Sequence, residues 1–357
     1  MRVNVLTPGF TTSNGSAFLF PLVVHKTHLR DAAIDVRMVQ RSSPQITDCD
    51  VLAIDSKEFR NGWGDNKSRT LELISSYSES GATLVWFDTT DSTGTLQADV
   101  LPVVDRYLKA QLLSNKSRYT KRIYGGRLHS EYYHDLAGVA DDDGISIDQP
   151  ISVEDTLKLG ISWNSGLADY STYGPWRIGL YRRIKFARLL RYPAPFQSSN
   201  SDRPNDLSAR FGATYSKATV RYQREQIRDL LASRLDTNKL SRRGYMKELQ
   251  RSKVVISPFG WGEITLKDFE VFLSGSLLLK PSMDHMRTWP DFYEKNVTVL
   301  THDWDLANLE EQIELAVNNE GDRIEIAAQG QQRYAEYTSG PNAAEKFVTH
   351  FREVMSL

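Results

Sequence analysis

Short apolar runs and stretches of helical period alternate along most of this chain. Residues 2–7, 35–39, 49–55 and 82–87 are brief, mostly apolar and rich in β-branched side chains, as a fully buried strand requires. Between them, 17–33 and 68–80 have helical character, and Leu71, Leu73, Ile74 and Tyr77 supply the apolar positions of the second. Leu101, Val104, Leu108 and Leu112 recur at helical spacing and predict a further helix over 100–113. The second half repeats the pattern, with strands expected at 207–211, 253–257, 276–280 and 297–300. Helices are expected at 217–234, from Glu263 to Gly275, at 304–317 and within 322–351. Strand, helix, strand in succession implies α/β units built on parallel sheets. No repeat of solenoid period interrupts them.

The most informative stretch is 254–281. A buried strand ends at Pro258, and Gly260 and Gly262 let the backbone turn tightly. The period then becomes helical, with Leu266, Phe269 and Leu273 on one side. Gly275 closes the helix before another apolar run. On the other side Glu263, Lys267 and Glu270 are spaced to form one polar stripe. A helix start behind a glycine loop offers N–H groups and a positive dipole end to an anion. In an open α/β sheet that place is the ligand side. The stripe therefore reads either as a diphosphate and ribose site or as a solvated face with an ordinary Glu–Lys pair.

Other candidate chemistry lies at strand ends. The fourth apolar run finishes in Asp88, Thr89, Thr90, Asp91 and Ser92, so either Asp88 or Asp91 could serve an acceptor hydroxyl as base. The same residue types are favoured in turns and helix caps for local reasons. Arg210 and Lys217 end a strand and start a helix at one crevice. Segment 116–127 is basic with Tyr119 and Tyr124 interleaved, and 177–191 is basic and expected helical. The acidic run 140–144 lacks the spacing of a calcium loop. His285 reads as a hydrogen-bonded loop residue. A polar break at 198–206 separates two halves.

Composition narrows the classes. The chain has 357 residues, enough for two domains, with 40% hydrophobic and 25% charged residues. A net charge of −1 gives no global field toward nucleic acid. The single cysteine, Cys49, cannot form an intrachain disulfide, and no cysteine cluster of metal-binding type exists. The first residues read as a strand rather than a secretory leader. No apolar run reaches the roughly 18–20 residues of a membrane span. A cytoplasmic protein is the expectation, with peripheral membrane contact left open.

The stretch around Gly260-Trp261-Gly262 and Glu270-Val271-Phe272-Leu273-Ser274-Gly275 resembles the C-terminal-domain signature of GT-B glycosyltransferases. Exostosin-like and spore-coat-type members show similar patterns. The resemblance implies two Rossmann-like domains facing across a cleft. It implies sugar transfer from a UDP- or GDP-sugar to a glycan or other hydroxyl acceptor, with no metal and no further cofactor. On it, 1–150 is the acceptor domain, 151–206 a connection with lid-like elements, 207–330 the donor domain, and 331–357 a closing helix. Gly260, Gly262, Glu263, Lys267 and Glu270 would hold the donor, with Arg210 and Lys217 on the diphosphate and Arg243 and Tyr245 at the base. Retaining members carry two glutamates eight positions apart, whereas Glu263 and Glu270 are seven apart, so Glu270 matches the ribose ligand better and the stereochemical course stays open. A cytosolic two-domain binding protein and a nucleotide-sugar epimerase are the alternatives.

Overall fold

The computed structural model describes residues 1–63, 66–142 and 150–356, with the backbone alone for Asn61 and Gly62. Asp143 and Gly144 of the acidic run lie outside the described residues. The first lobe contains β1 (Arg2–Leu6), α1 (Ser13–Val24), α2 (Lys26–Asp31), β2 (Asp35–Val39), β3 (Val51–Asp55), α3 (Lys67–Ser78), β4 (Thr83–Asp88), β5 (Arg106–Lys109), β6 (Gln111–Leu113), α4 (Leu128–Ala137) and β7 (Leu159–Ile161). Its sheet has the order β2-β1-β3-β4-β5-β7, with every pairing parallel. All five residues of β3 are buried, because helices cover both faces of a parallel sheet and the strand reads as one apolar run.

The second lobe follows α5 (Gly174–Ile184). It comprises β8 (Asn205–Ser208), α6 (Ala218–Leu231), α7 (Arg242–Arg251), β9 (Ser252–Ile256), α8 (Leu266–Ser274), β10 (Leu277–Pro281), β11 (Met286–Thr288), β12 (Leu300–His302), α9 (Leu309–Asn318), α10 (Glu320–Thr338) and α11 (Ala343–Met355). Its sheet, β12-β10-β9-β8, is also parallel throughout. Two α/β units with parallel sheets therefore face one another, the arrangement that the resemblance implies.

The lobes are tied by more than the chain between them. β6 pairs antiparallel with β11, bringing Leu112 opposite Arg287. α11 crosses back to the first lobe, where the Trp163 ring meets Phe347 at 5.3 Å and Phe351 at 6.0 Å. Arg106 and Arg352 close that contact by donating to Val354 and Ala32 carbonyls, each at 3.0 Å.

Several expectations are corrected. The helix expected over 100–113 is a 3-10 turn at Ala98–Val103 followed by β5 and β6. Tyr107, Leu108 and Lys109 are all fully buried, as an inner strand of a parallel sheet requires, and β5 pairs with β4 and β7 on its two sides. The first lobe's sheet runs on to β7, beyond residue 150. The helix expected over 177–191 ends at Ile184, where Lys185 turns left-handed with φ 52°. Arg243 and Tyr245, expected at the base, stand on helix α7, which Ser241 caps. α8 starts at Leu266, so Glu263 precedes the helix and Glu263, Lys267 and Glu270 do not form one stripe along it.

Candidate active site

Strand carboxyl ends from both lobes converge on a cleft of about 670 Å³. The first lobe brings Thr12, Ser13 and Asn14 after β1, Ser56 and Lys57 after β3, and Asp88 to Asp91 after β4. The second brings Tyr215, Arg224 and the loop from Gly260 to Leu266. This placement follows from parallel sheets, whose βα loops all open on one side.

The glycine loop touches the opposite lobe. A Cβ at Gly262 would collide with the Asp91 carbonyl, so only glycine lets the two loops meet. Arg127 holds the bend from the first lobe, donating to the Trp261 carbonyl at 2.7 Å with its guanidinium 5.1 Å from the Trp261 ring. Glu263 completes the contact. Fully buried, it accepts from the Thr93 N–H at 3.0 Å and the Thr93 hydroxyl at 2.6 Å. His285 Nε2 and His129 Nδ1 stand 3.6 and 4.0 Å from the same carboxylate. Burial works against the Glu263 charge, but His285, His129 and Thr93 hold its carboxyl below the usual range. Burial keeps His129 down at about 4. Glu263 thus faces the first lobe rather than solvent, and neither nitrogen of His285 has a hydrogen-bond partner among the described residues.

The two carboxylates after β4 differ in kind. Asp88 is tied up: Lys109 donates at 2.7 Å, Tyr107 at 2.6 Å and the Thr90 N–H at 2.9 Å. Both sides of the Asp88–Lys109 pair are fully buried. Burial raises the Asp88 pKa, but the Lys109 ammonium and these hydrogen bonds outweigh it and leave the carboxyl below its ordinary range. Asp91 is exposed in the cleft. Its Oδ1 accepts from Asn14 at 2.5 Å, and its other oxygen makes no hydrogen bond among the described residues.

The helix start of α8 is partly spoken for. Asp268 accepts from the Thr265 N–H at 3.0 Å in a capping box and pairs with buried Lys280 at 3.1 Å. Its carboxylate answers the positive end of the helix. Two other cations carry no such answer. Arg224 donates to the Phe259, Gly212 and Pro258 carbonyls, and Lys267 to those of Arg210 and Ile256. Neither forms an ion pair with a carboxylate among the described residues. Burial, and then Arg224 nearby, lower Lys267 to about 7. Lys267 is half-buried, with its ammonium turned inward to the Arg210 and Ile256 carbonyls.

The remaining candidates stand apart from this cleft. Arg210 is gripped by Glu248, at 2.9 Å, and by Asp236, at 3.0 Å. Glu270 binds Arg242 and faces a neighbouring cavity of about 270 Å³, which shares Thr12, Ser13 and Leu266 with the main cleft. Tyr245 lies beside Glu270, where burial and that carboxylate raise its phenol well above the ordinary value. Arg243 is exposed, and Lys217 caps α6. The sequence reading missed Arg224, Asn14 and Lys109. Arg224 is one of several arginines spaced along α6, and nothing in that spacing says which one turns inward.

No protein-family profile matches the chain, and no curated protein matches it in sequence. Among solved structures, an Anabaena protein, HepE, in complex with UDP-glucose aligns over 99% of this chain and 100% of its own, with 10% identity and a TM-score of 0.44. An alpha-glucosyltransferase in complex with UDP aligns over 99% of both, with 10% identity and a TM-score of 0.45. A glycosyltransferase from Rickettsia africae aligns over 99% of this chain and 98% of its own, with 8% identity and a TM-score of 0.48. At such values the likenesses carry no argument about what this chain does.

Proposed function

We propose that the protein transfers a sugar from a nucleoside-diphosphate donor to an acceptor hydroxyl. One observation carries this reading: the cleft sets an accessible carboxylate, Asp91, on one wall and on the other Arg224, a guanidinium with no ion pair among the described residues. The acceptor hydroxyl attacks the anomeric carbon and gives its proton to Asp91. The bond from that carbon to the diphosphate oxygen breaks, and the charge left on the diphosphate is met by Arg224 and Lys267. A fixed cation in a water-poor wall stabilises such a leaving group without reorganising. Trp261 and Tyr215, whose rings meet at 5.5 Å, supply flat walls. This is an inverting course. Asp88, with both oxygens engaged, positions the β4 loop instead of taking the proton.

The reading uses no cofactor beyond the donor and gives the two cations the role a metal would otherwise take. Transfer should therefore persist in excess EDTA. The deciding assay measures release of UDP or GDP from a panel of donors. Asp91→Asn should lower kcat by about 10²–10⁴-fold and leave donor affinity unchanged. Wild-type turnover in that variant would remove Asp91 from the reaction. A protein that binds the nucleotides but never turns over would be a sensor. Among the described residues no helix is long and apolar enough to cross a membrane.

A further inference from the structure

Helix α5 carries apolar residues on two sides. One side packs inward: Tyr181 is buried, with its ring 5.0 Å from that of Phe10. The other side is open. Tyr173, Trp176, Leu180 and Ile184 recur at helical spacing and make one stripe. Tyr173 is 68% exposed, Trp176 65% and Ile184 57%, and Phe186 just beyond the helix is 53% exposed. Apolar groups of this size, clustered and in water, mark a contact surface.

The charge around the stripe says what it contacts. Between Asp169 and Asp202 the sequence has no acidic residue, but it has Arg177, Arg182, Arg183, Lys185, Arg188 and Arg191. The whole chain has a net charge of −1, so this segment is a local exception. Arg177 is answered by Asp169. The other five form no ion pair among the described residues, and 182–188 are exposed without interruption. Lys185 instead lies 5.6 Å from the Tyr181 ring.

We propose that this face docks on an anionic membrane surface, with α5 lying in the plane of the interface. Tryptophan and tyrosine settle at headgroup depth, and long cationic side chains reach the phosphates while their stems stay in apolar surroundings. A single-stranded nucleic acid would share the cations and the aromatic rings. It would gain nothing from the aliphatic Leu180 and Ile184, which offer no flat face for a base. The membrane is therefore the better fit.

The test is co-sedimentation of the full chain with phosphatidylcholine vesicles, with and without phosphatidylglycerol, over a range of salt. The protein should pellet with the anionic vesicles, leave the neutral ones, and be released by salt. Arg183→Ala should weaken binding about five-fold, the effect of one cation near such a surface. Reversing Arg182, Arg183 and Lys185 to glutamate should abolish it. Trp176→Ser with Phe186→Ser should weaken binding about ten-fold at every salt concentration. All these positions are exposed, and an unchanged melting temperature verifies the fold. Equal binding to neutral vesicles, no vesicle binding, or vesicle-like retention on single-stranded RNA alone would overturn the proposal. So would charge-reversed protein that pellets like wild type.

Discussion

The two lobes treat buried charge differently, although each is a parallel sheet opening its strand ends on the same cleft. In the first lobe Asp88 at the end of β4 is answered by Lys109 on β5, both fully buried. The second lobe repeats the device with Asp268 and Lys280. It then adds Arg224 and Lys267, which donate to carbonyl oxygens and lie over the Phe211 ring, with no carboxylate in ion-pair contact among the described residues. A carbonyl carries only a partial charge, so it satisfies the hydrogens of a cation without cancelling its field. Turning a charge inward without a counter-charge in contact costs free energy. On the proposed function the paired charges serve structure and the others serve the ligand, and that contrast can be broken at each point.

The largest effect falls on the paired side. Asp88→Ala should leave the Lys109 ammonium buried without a counter-charge and destabilise the fold by about 3–5 kcal/mol in urea denaturation. Replacing both residues together, Asp88→Asn with Lys109→Met, should recover most of that loss. If the single variant is as stable as wild type, the pair is not the structural element claimed here.

Much of this architecture was legible in the sequence. The strand runs of the first lobe up to β4, and β9 and β10 of the second, lie within one or two residues of expectation, because parallel strands buried on both faces read as continuous apolar stretches. The cleft position of Gly260 and Gly262 was legible too, since a loop at the carboxyl end of a strand in an open α/β sheet lies on the ligand side. What failed was anything that depends on which way a polar side chain turns. Glu263, Lys267 and Glu270 have helical spacing, yet one meets Thr93, one the carbonyls behind α8, and one Arg242. Spacing reports a shared face only if the helix already covers all three, and α8 begins after Glu263. The pairing of Asp88 with Lys109 was hidden because their strands become neighbours only in the folded sheet.

The next effect falls on the unpaired side. Arg224→Met should weaken nucleoside-diphosphate binding by about 2–4 kcal/mol in calorimetry, the usual loss when one partner of a buried charged contact is removed. Arg224→Lys should retain part of the affinity, because the charge survives while the fork-shaped donor set does not. Equal affinity in wild type and Arg224→Met would detach this cation from the ligand and erase the contrast between the lobes.

The smallest effect is the most diagnostic. Lys267 titrates at about 7, so its folded-state pKa is far below that of an ordinary lysine. Above pH 7 the folded protein therefore holds fewer protons than the unfolded chain, and stability should rise with pH from about 7 toward the ordinary lysine range. A diphosphate brought near the ammonium favours its charged form and raises its pKa. Affinity should be flat below pH 7, where Lys267 is already protonated. Above pH 7 affinity should fall by up to about tenfold per pH unit, because binding must first take up a proton. Calorimetry of UDP and GDP in two buffers of different ionisation heat measures that uptake directly. Lys267→Met should flatten the affinity profile and remove the stability slope, with no loss of stability at neutral pH. A flat wild-type profile, or binding with no proton uptake above pH 7, would mean that Lys267 does not feel the ligand and that Arg224 alone supplies the charge on that wall.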